Sequence, residues 1–184
     1  MHLHNLLKKA AFIDRDGVVN DLVDRGEGFC LGGKPFRYTA PFRFDELRLK
    51  PYAKEALDLI GQKGYLRILV TNQPDVATGN MSQGEFERIM AAVHAFPLDD
   101  IYVCMHHPKE KCLCRKPAPG MLLDAKDKHC IDMSLSYMIG DSETDIQAGR
   151  TAGVQTILIA NEISLTTNAH SQAMSLLEAA RLLP

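Results

Sequence analysis

The sequence predicts an α/β fold, a Rossmann-like three-layer α/β/α arrangement around a central parallel sheet. Two observations predict it. Short apolar runs rich in β-branched residues alternate with stretches of helical periodicity along the 184 residues, as strands joined by crossover helices do. Polar residues then cluster at the carboxyl ends of those runs, where open parallel sheets bind their ligands.

The elements follow in order. Ala10 to Ile13 is a short apolar strand. After a long irregular segment, Pro51 opens a helical run to about Gln62, with Ala53, Ala56, Leu57 and Ile60 on one face and Gly64 as the stop. Leu66 to Val70 is apolar except for Arg67 and reads as a buried strand. Ser82 with Glu85 makes a capping box for a helix to about Ala95. Ile101 to Val103 is a third strand, and Pro119 starts a helix that ends near His129. Tyr137 to Ile139 is a fourth strand, a helix runs from about Thr144 to Gly153, and Val154 to Ile159 is a fifth strand. Ser171 is expected to cap a last amphipathic helix bearing Leu176, Leu177, Ala180 and Leu182. Residues 1–184 are thus expected to form a single domain.

Composition narrows the class. An apolar fraction of 46% and a charged fraction of 24% suit a soluble globular chain. A net charge of -2 gives no general attraction to nucleic acid or to an anionic membrane. Met1 to Lys9 does not read as a signal peptide, and no apolar run approaches a membrane span. The five cysteines are odd in number, and three of them fall close together, which favours metal binding in a reducing compartment over disulfides. A cytoplasmic monomer acting on a small molecule is expected.

The first strand ends in Asp14-Arg15-Asp16-Gly17. Strand residues two apart face the same way, so the two carboxylates can share a site. An EF-hand reading fails, because the sixth and twelfth positions from Asp14 are Val19 and Arg25 instead of Gly and Glu. A plain strand-to-turn ending remains open for this stretch alone. Phosphoryl chemistry is the other reading, with Asp14 attacking phosphorus while Asp16 handles the proton.

Downstream residues favour the second. Thr71-Asn72 ends the second strand, Lys116 follows the third, and Gly140-Asp141 ends the fourth. An attacking carboxylate and a phosphate dianion repel by roughly 4 kcal/mol per charge pair at about 4 Å, at an effective dielectric near 20. The site therefore needs positive charge. Magnesium on Asp14, the Asp16 carbonyl and Asp141 would supply most of it, and Lys116 the rest. The Thr71 hydroxyl and the Asn72 backbone N–H would bond the phosphoryl oxygens.

These stretches, Asp14-x-Asp16-Gly17, Thr71-Asn72-Gln73, Lys116-Pro117 and Gly140-Asp141-x-x-x-Asp145, resemble in order the four motifs of the haloacid dehalogenase (HAD) superfamily of phosphohydrolases. The resemblance implies a HAD-like fold, here without a large cap domain. It also implies Asp14 as nucleophile, Asp16 as acid and base, Thr71 and Lys116 as phosphate ligands and Asp141 as a magnesium ligand. Asp145 would stand behind them or touch the metal.

Cys104-x-His106 and Cys112-x-Cys114 bring three thiols and an imidazole within eleven positions, which fits a closed, structural tetrahedral zinc site. Such a zinc loop, 104–116, would fix Arg115 and Lys116 beside the phosphate. His107 reads as a solvated neighbour of that site. With the Cys114-to-Leu123 run, the loop is similar to the zinc-containing branch of heptose bisphosphate and histidinol-phosphate phosphatases, and more like the former. Histidinol phosphate, a polynucleotide 3′-phosphate and a non-catalytic zinc-stabilised module are the alternatives.

Two stretches depart from that pattern. Pro74-Asp75-Val76-Ala77-Thr78-Gly79 stands where the branch has Ser-Gly-Ile-Ala-Arg-Gly, adding an acid and losing an arginine. Residues 28–44 form a long insert with Lys34, Arg37 and Arg43, no acids, and five of the chain's twelve aromatic residues. It reads either as a flap over a sugar phosphate or as a surface loop packing its aromatics on the sheet edge.

Overall fold

The computed structural model describes residues 7–160 and 168–184. Most of the amino-terminal stretch that lacks signal-peptide character lies outside them. The chain runs β1 (Lys9–Ile13), then four two-residue strands, β2 (Val23–Asp24), β3 (Cys30–Leu31), β4 (Lys34–Pro35) and β5 (Tyr38–Thr39). It continues through α1 (Ala53–Gln62), β6 (Tyr65–Asn72), α2 (Gln83–His94), β7 (Asp100–Cys104) and α3 (Gly120–His129). The last part is β8 (Tyr137–Gly140), α4 (Glu143–Ala152), β9 (Gln155–Ile159), β10 (Ser171–Ala173) and α5 (Leu176–Leu182).

Six strands form one sheet in the order β10-β9-β8-β1-β6-β7, and every pair is parallel. Alternate residues of β1 sort its two faces. Ala11 and Ile13 join the core under α1, α2 and α5, built on Leu57, Ile60, Ile89, Val93 and Leu176. Ala10 and Phe12 join the core under α3 and α4, with Met121, Leu122, Met138 and Ala148. Both faces are covered, as a sheet of continuous apolar strands requires. The expected three-layer α/β/α architecture is what forms.

The chain leaves β1 for its neighbour β6 on one side, and later places β8 on the other side. A doubly wound sheet opens a crevice where its order reverses in this way. Asp14 and Asp16 leave β1 at that crevice, and Asp14 N–H bonds to the Ile139 carbonyl of β8 at 2.9 Å.

Three local expectations need correction. Ser171 does not cap a helix; it begins β10, which adds a sixth strand beside β9, and Ser175 caps α5 by accepting from Glu178 N–H. Pro51 lies in a turn, and α1 starts after Tyr52, whose left-handed φ of 63° swings the chain into the helix. Ser82 does accept from Glu85 N–H, but the Glu85 carboxylate reaches the Phe44 N–H of the insert and Arg88 instead of closing the box. The reciprocal capping box occurs at Ser142 and Asp145, at the start of α4.

Close approach of α4 to the sheet sets a testable limit. A Cβ on Gly149 would stand 2.7 Å from Met138 Cβ and 2.8 Å from Thr156 Cγ2. Alanine gains about 1 kcal/mol of helix propensity over glycine, against an overpacking cost of about 1–3 kcal/mol. Gly149→Ala is therefore expected to lower stability in urea unfolding; an unchanged or raised midpoint would show that α4 can retreat from β8.

Candidate active site

The site is assembled around one ammonium group. Lys116 Nζ lies 2.8 Å from Asp14 Oδ1 and 2.6 Å from Asp145 Oδ1, and it donates to the Val70 carbonyl at 2.8 Å. Its side chain is 2% exposed. Asn72 holds the lysine backbone from both sides, accepting from its N–H at 3.1 Å and donating to its carbonyl at 3.0 Å. The ends of β1 and β6, the α4 start and the segment after β7 thus meet at a single charge.

Asp14, Asp141 and Asp145 each offer an oxygen to a cluster whose atoms lie within 4.8 Å of one another. Gly17 permits this: its φ is +78°, and a Cβ there would stand 1.9 Å from Asp141 Oδ2. When all three are ionised, three carboxylates against one ammonium leave two uncompensated negative charges, which match a divalent cation in number. Burial first, then Asp145, pushes the Asp14 carboxyl up to about 7, although Lys116 opposes this. Burial, then Asp14 and Asp145, pushes Asp141 up to about 8. Burial pulls the Lys116 ammonium down, but Asp14 and Asp145 more than offset it and hold its pKa above the ordinary lysine range.

Asp16 sits apart from that cluster. Its carboxylate takes a bidentate guanidinium contact from the fully buried Arg15, at 2.9 and 3.0 Å from Nη2. Asn20 Nδ2 donates to it at 3.0 Å and Gln73 Nε2 at 2.6 Å. Thr71 is buried below, its hydroxyl accepting from Gln73 Nε2 at 2.9 Å. Arg15, Asn20 and Gln73 were not singled out from the sequence. Ideal strand alternation points Arg15 away from Asp14 and Asp16, and only the bend after Ile13 returns its side chain to Asp16.

A cavity of about 710 Å³ opens over these groups, lined at its strand-end side by Asp14, Asp16, Asn72, Arg115, Lys116 and Asp141. Thr71 does not line it. The insert does, through Pro35, Phe36, Arg37, Tyr38 and Ala40. Pro35 and Tyr38 belong to two antiparallel rungs, β3 with β4 and β2 with β5, and Phe36 and Arg37 join them. Arg25 ties the base of this arm to Glu46 at 2.6 and 2.8 Å and to Thr39 at 2.9 Å. Asp75 is buried behind the cavity and accepts from Asn80 Nδ2 at 3.2 Å; burial raises its pKa.

Cys104, His106, Cys112 and Cys114 form a second cluster whose ligand atoms lie within 4.8 Å of one another. A zinc tetrahedron with bonds of about 2.3 Å to sulfur and about 2.05 Å to nitrogen has edges of about 3.8 and 3.5 Å. Cys104 Sγ stands 3.7 Å from Cys112 Sγ and 3.6 Å from His106 Nδ1, and Cys114 Sγ is 3.2 Å from that nitrogen. The four donors fit zinc. His107 turns away, accepting from Lys109 N–H at Nδ1. The loop closes onto α3 through Gly120, whose N–H bonds to the Leu113 carbonyl at 3.1 Å where a Cβ would stand 2.2 Å from that oxygen.

A HAD-hydrolase-like family model matches residues 113–177. The chain is 35% identical over 191 residues to the D-glycero-beta-D-manno-heptose-1,7-bisphosphate 7-phosphatase of Pasteurella multocida, covering 97% of this chain and 96% of that protein. It is 36% identical over 164 residues to the D-glycero-alpha-D-manno-heptose-1,7-bisphosphate 7-phosphatase of Burkholderia mallei, covering 82% and 79%. The crystal structure of D,D-heptose 1,7-bisphosphate phosphatase from B. bronchiseptica, complexed with magnesium and phosphate, superposes with a TM-score of 0.79 at 26% identity, over 95% of this chain and 97% of that one. Whole-length similarity of this kind, on a site with a lysine buried between an aspartate at the end of β1 and one at the start of α4, makes the chain a member of the HAD hydrolase family, in the group of the heptose-1,7-bisphosphate 7-phosphatases.

Proposed function

We propose that the protein is a magnesium-dependent phosphate monoester hydrolase that removes the 7-phosphate of D-glycero-D-manno-heptose 1,7-bisphosphate through an aspartyl-phosphate. The observation that carries this reading is Lys116 buried between Asp14 and Asp145, with Asp141 completing a cluster whose excess charge suits a dication. The relatives' names support the substrate, and they leave both anomers open.

Asp14 Oδ1 receives the Lys116 ammonium and the Arg15 N–H, the latter at 2.7 Å. That fixes the carboxylate and leaves Oδ2 to attack phosphorus. As the new O–P bond forms, the bond to the sugar oxygen breaks, and Asp16 donates its proton to the departing alkoxide. The same Asp16 then takes a proton from water as the water oxygen attacks phosphorus and the Asp14–phosphorus bond breaks. Arg15, Asn20 and Gln73 hold Asp16 in place for both transfers. Asn72, Arg115 and Lys116 meet the substrate from the cavity wall, whereas the expected contact from the Thr71 hydroxyl does not form, because Thr71 is buried outside the cavity lining and its hydroxyl takes the Gln73 amide.

Magnesium on Asp14, Asp141 and the Asp16 carbonyl, with Asp145 beside them, would offset the charge of the phosphoryl group. Zinc on Cys104, His106, Cys112 and Cys114 would instead order the loop that carries Arg115 and Lys116, with no direct part in the chemistry. Three unpaired thiols in contact suit a reducing compartment, so cytoplasmic operation belongs to the same proposal.

Asp14→Asn is expected to abolish phosphate release from the heptose bisphosphate with zinc content unaltered; appreciable residual turnover rejects the covalent route. Histidinol phosphate, assayed beside it, should be the poorer substrate, and the reverse order moves the protein to the other branch. Cys112→Ser should drop zinc well below one per chain and lower Tm, since a structural zinc contributes on the order of 10 kcal/mol. Full zinc stoichiometry in that variant rejects the ligand set.

A pH dependence also follows. Asp14 and Asp141 rise from 3.8 to about 7 and about 8 in the metal-free fold. Between those values the native state keeps protons that the unfolded chain has released, so the stability they contribute falls as pH rises through the window. Magnesium binds the ionised form. Its Tm increment should therefore be larger at about pH 8.5 than at about pH 6; an equal increment at both values argues against this carboxylate site.

A further inference from the structure

The cavity wall built by the insert takes no part in the phosphoryl chemistry. The acids that line the cavity are Asp14, Asp16, Asp141, Glu143 and Asp145, and all follow the strand ends of β1 and β8. The insert contributes Pro35, Phe36, Arg37, Tyr38 and Ala40, with no acid among them and Arg37 as their cation. A bisphosphate brings a second dianion into the same space. Carboxylates repel it from most of the strand-end side, where Lys116 is already shared between Asp14 and Asp145 and Arg115 is the remaining cation.

Arg37 is held by its backbone, and its guanidinium lies near the surface, 5.2 Å from the centre of the Tyr38 ring. Its carbonyl accepts from Arg25 N–H at 2.7 Å. Gly32 and Gly33, with φ of +56° and +78°, close the tip of the arm, as the tight turn of a two-residue hairpin demands. The guanidinium meets Asp24 at 2.9 and 3.2 Å, with the two side chains 54% and 45% exposed. A surface ion pair of that kind contributes little and is readily traded, whereas a guanidinium and a phosphate match in a bidentate contact.

We infer that Arg37 binds the phosphate that stays on the sugar, exchanging Asp24 for it, so that the arm is a specificity element for bisphosphates. The inference rests on the bisphosphate reading proposed above. Phe36 and Tyr38 line the same wall, an apolar and an aromatic surface suited to the carbon faces of a sugar. Asp24 then acts as a placeholder, keeping the guanidinium oriented before substrate arrives.

The test compares kcat/KM for D-glycero-D-manno-heptose 1,7-bisphosphate with that for p-nitrophenyl phosphate, which has no second phosphate. Arg37→Ala should lower the ratio roughly 10- to 100-fold, the effect of losing charged hydrogen bonds. Asp24→Asn, which releases the guanidinium but keeps an oxygen for the Gly26 N–H, should leave the ratio equal or raise it. If the arm were merely structural, both variants would loosen it and lower the ratio alike, and that result overturns the inference. An unaltered ratio in Arg37→Ala overturns it too, while leaving the substrate reading intact. Wild-type protein that hydrolyses p-nitrophenyl phosphate but not the bisphosphate overturns both.

Discussion

The contact on which the rest of the site depends is the ammonium of Lys116, shared by Asp14 and Asp145 in the interior. Removing an ion from water costs several kcal/mol, repaid only by close partners with good geometry. The two carboxylates and the Val70 carbonyl supply those partners from three elements. Sheet, helix start and loop must each be in register before the charge is tolerable. Breaking the contact would leave a buried charge uncompensated, which is more costly than never having built it.

That constraint makes the site electrostatically incomplete without a cation. One lysine cannot balance Asp14, Asp141 and Asp145 when all three are ionised, and burial, reinforced by the crowding of these carboxylates, raises the pKa values of Asp14 and Asp141. Asp16 belongs to a different environment only two residues away, neutralised by Arg15 and braced by Asn20 and Gln73. Paired carboxylates in contrasting surroundings can divide nucleophilic and proton-transfer work between them.

Two local devices keep these charges in place. The Cys/His loop has no apolar core of its own, yet it delivers Arg115 and Lys116, and Gly120 seats it against α3. The insert is anchored instead by Arg25 on Glu46 and by Glu85 and Arg88 of α2, so it stands over the cavity as an arm. One segment gathers three thiols and an imidazole at its centre, the other is held at its base by the Arg25–Glu46 ion pair.

The sequence by itself determined the layered fold, because apolar periodicity and Pro/Gly punctuation act locally. It also made Asp14, Lys116 and Asp141 legible, since strand ends of a parallel sheet converge wherever the strands themselves are correctly read. Spacing alone also marked Cys104, His106, Cys112 and Cys114, whose donor atoms the fold brings within 4.8 Å of one another. Tertiary structure decided what spacing does not carry. Arg15 turned inward to Asp16 against strand alternation, Ser171 became an edge strand because β9 offered unpaired backbone, and Glu85 left its cap for Phe44 of the insert. Glu85 and Ser171 take partners from outside their local segments, and Arg15 reaches its neighbour Asp16 only because the chain bends after Ile13, so local spacing carries none of the three outcomes.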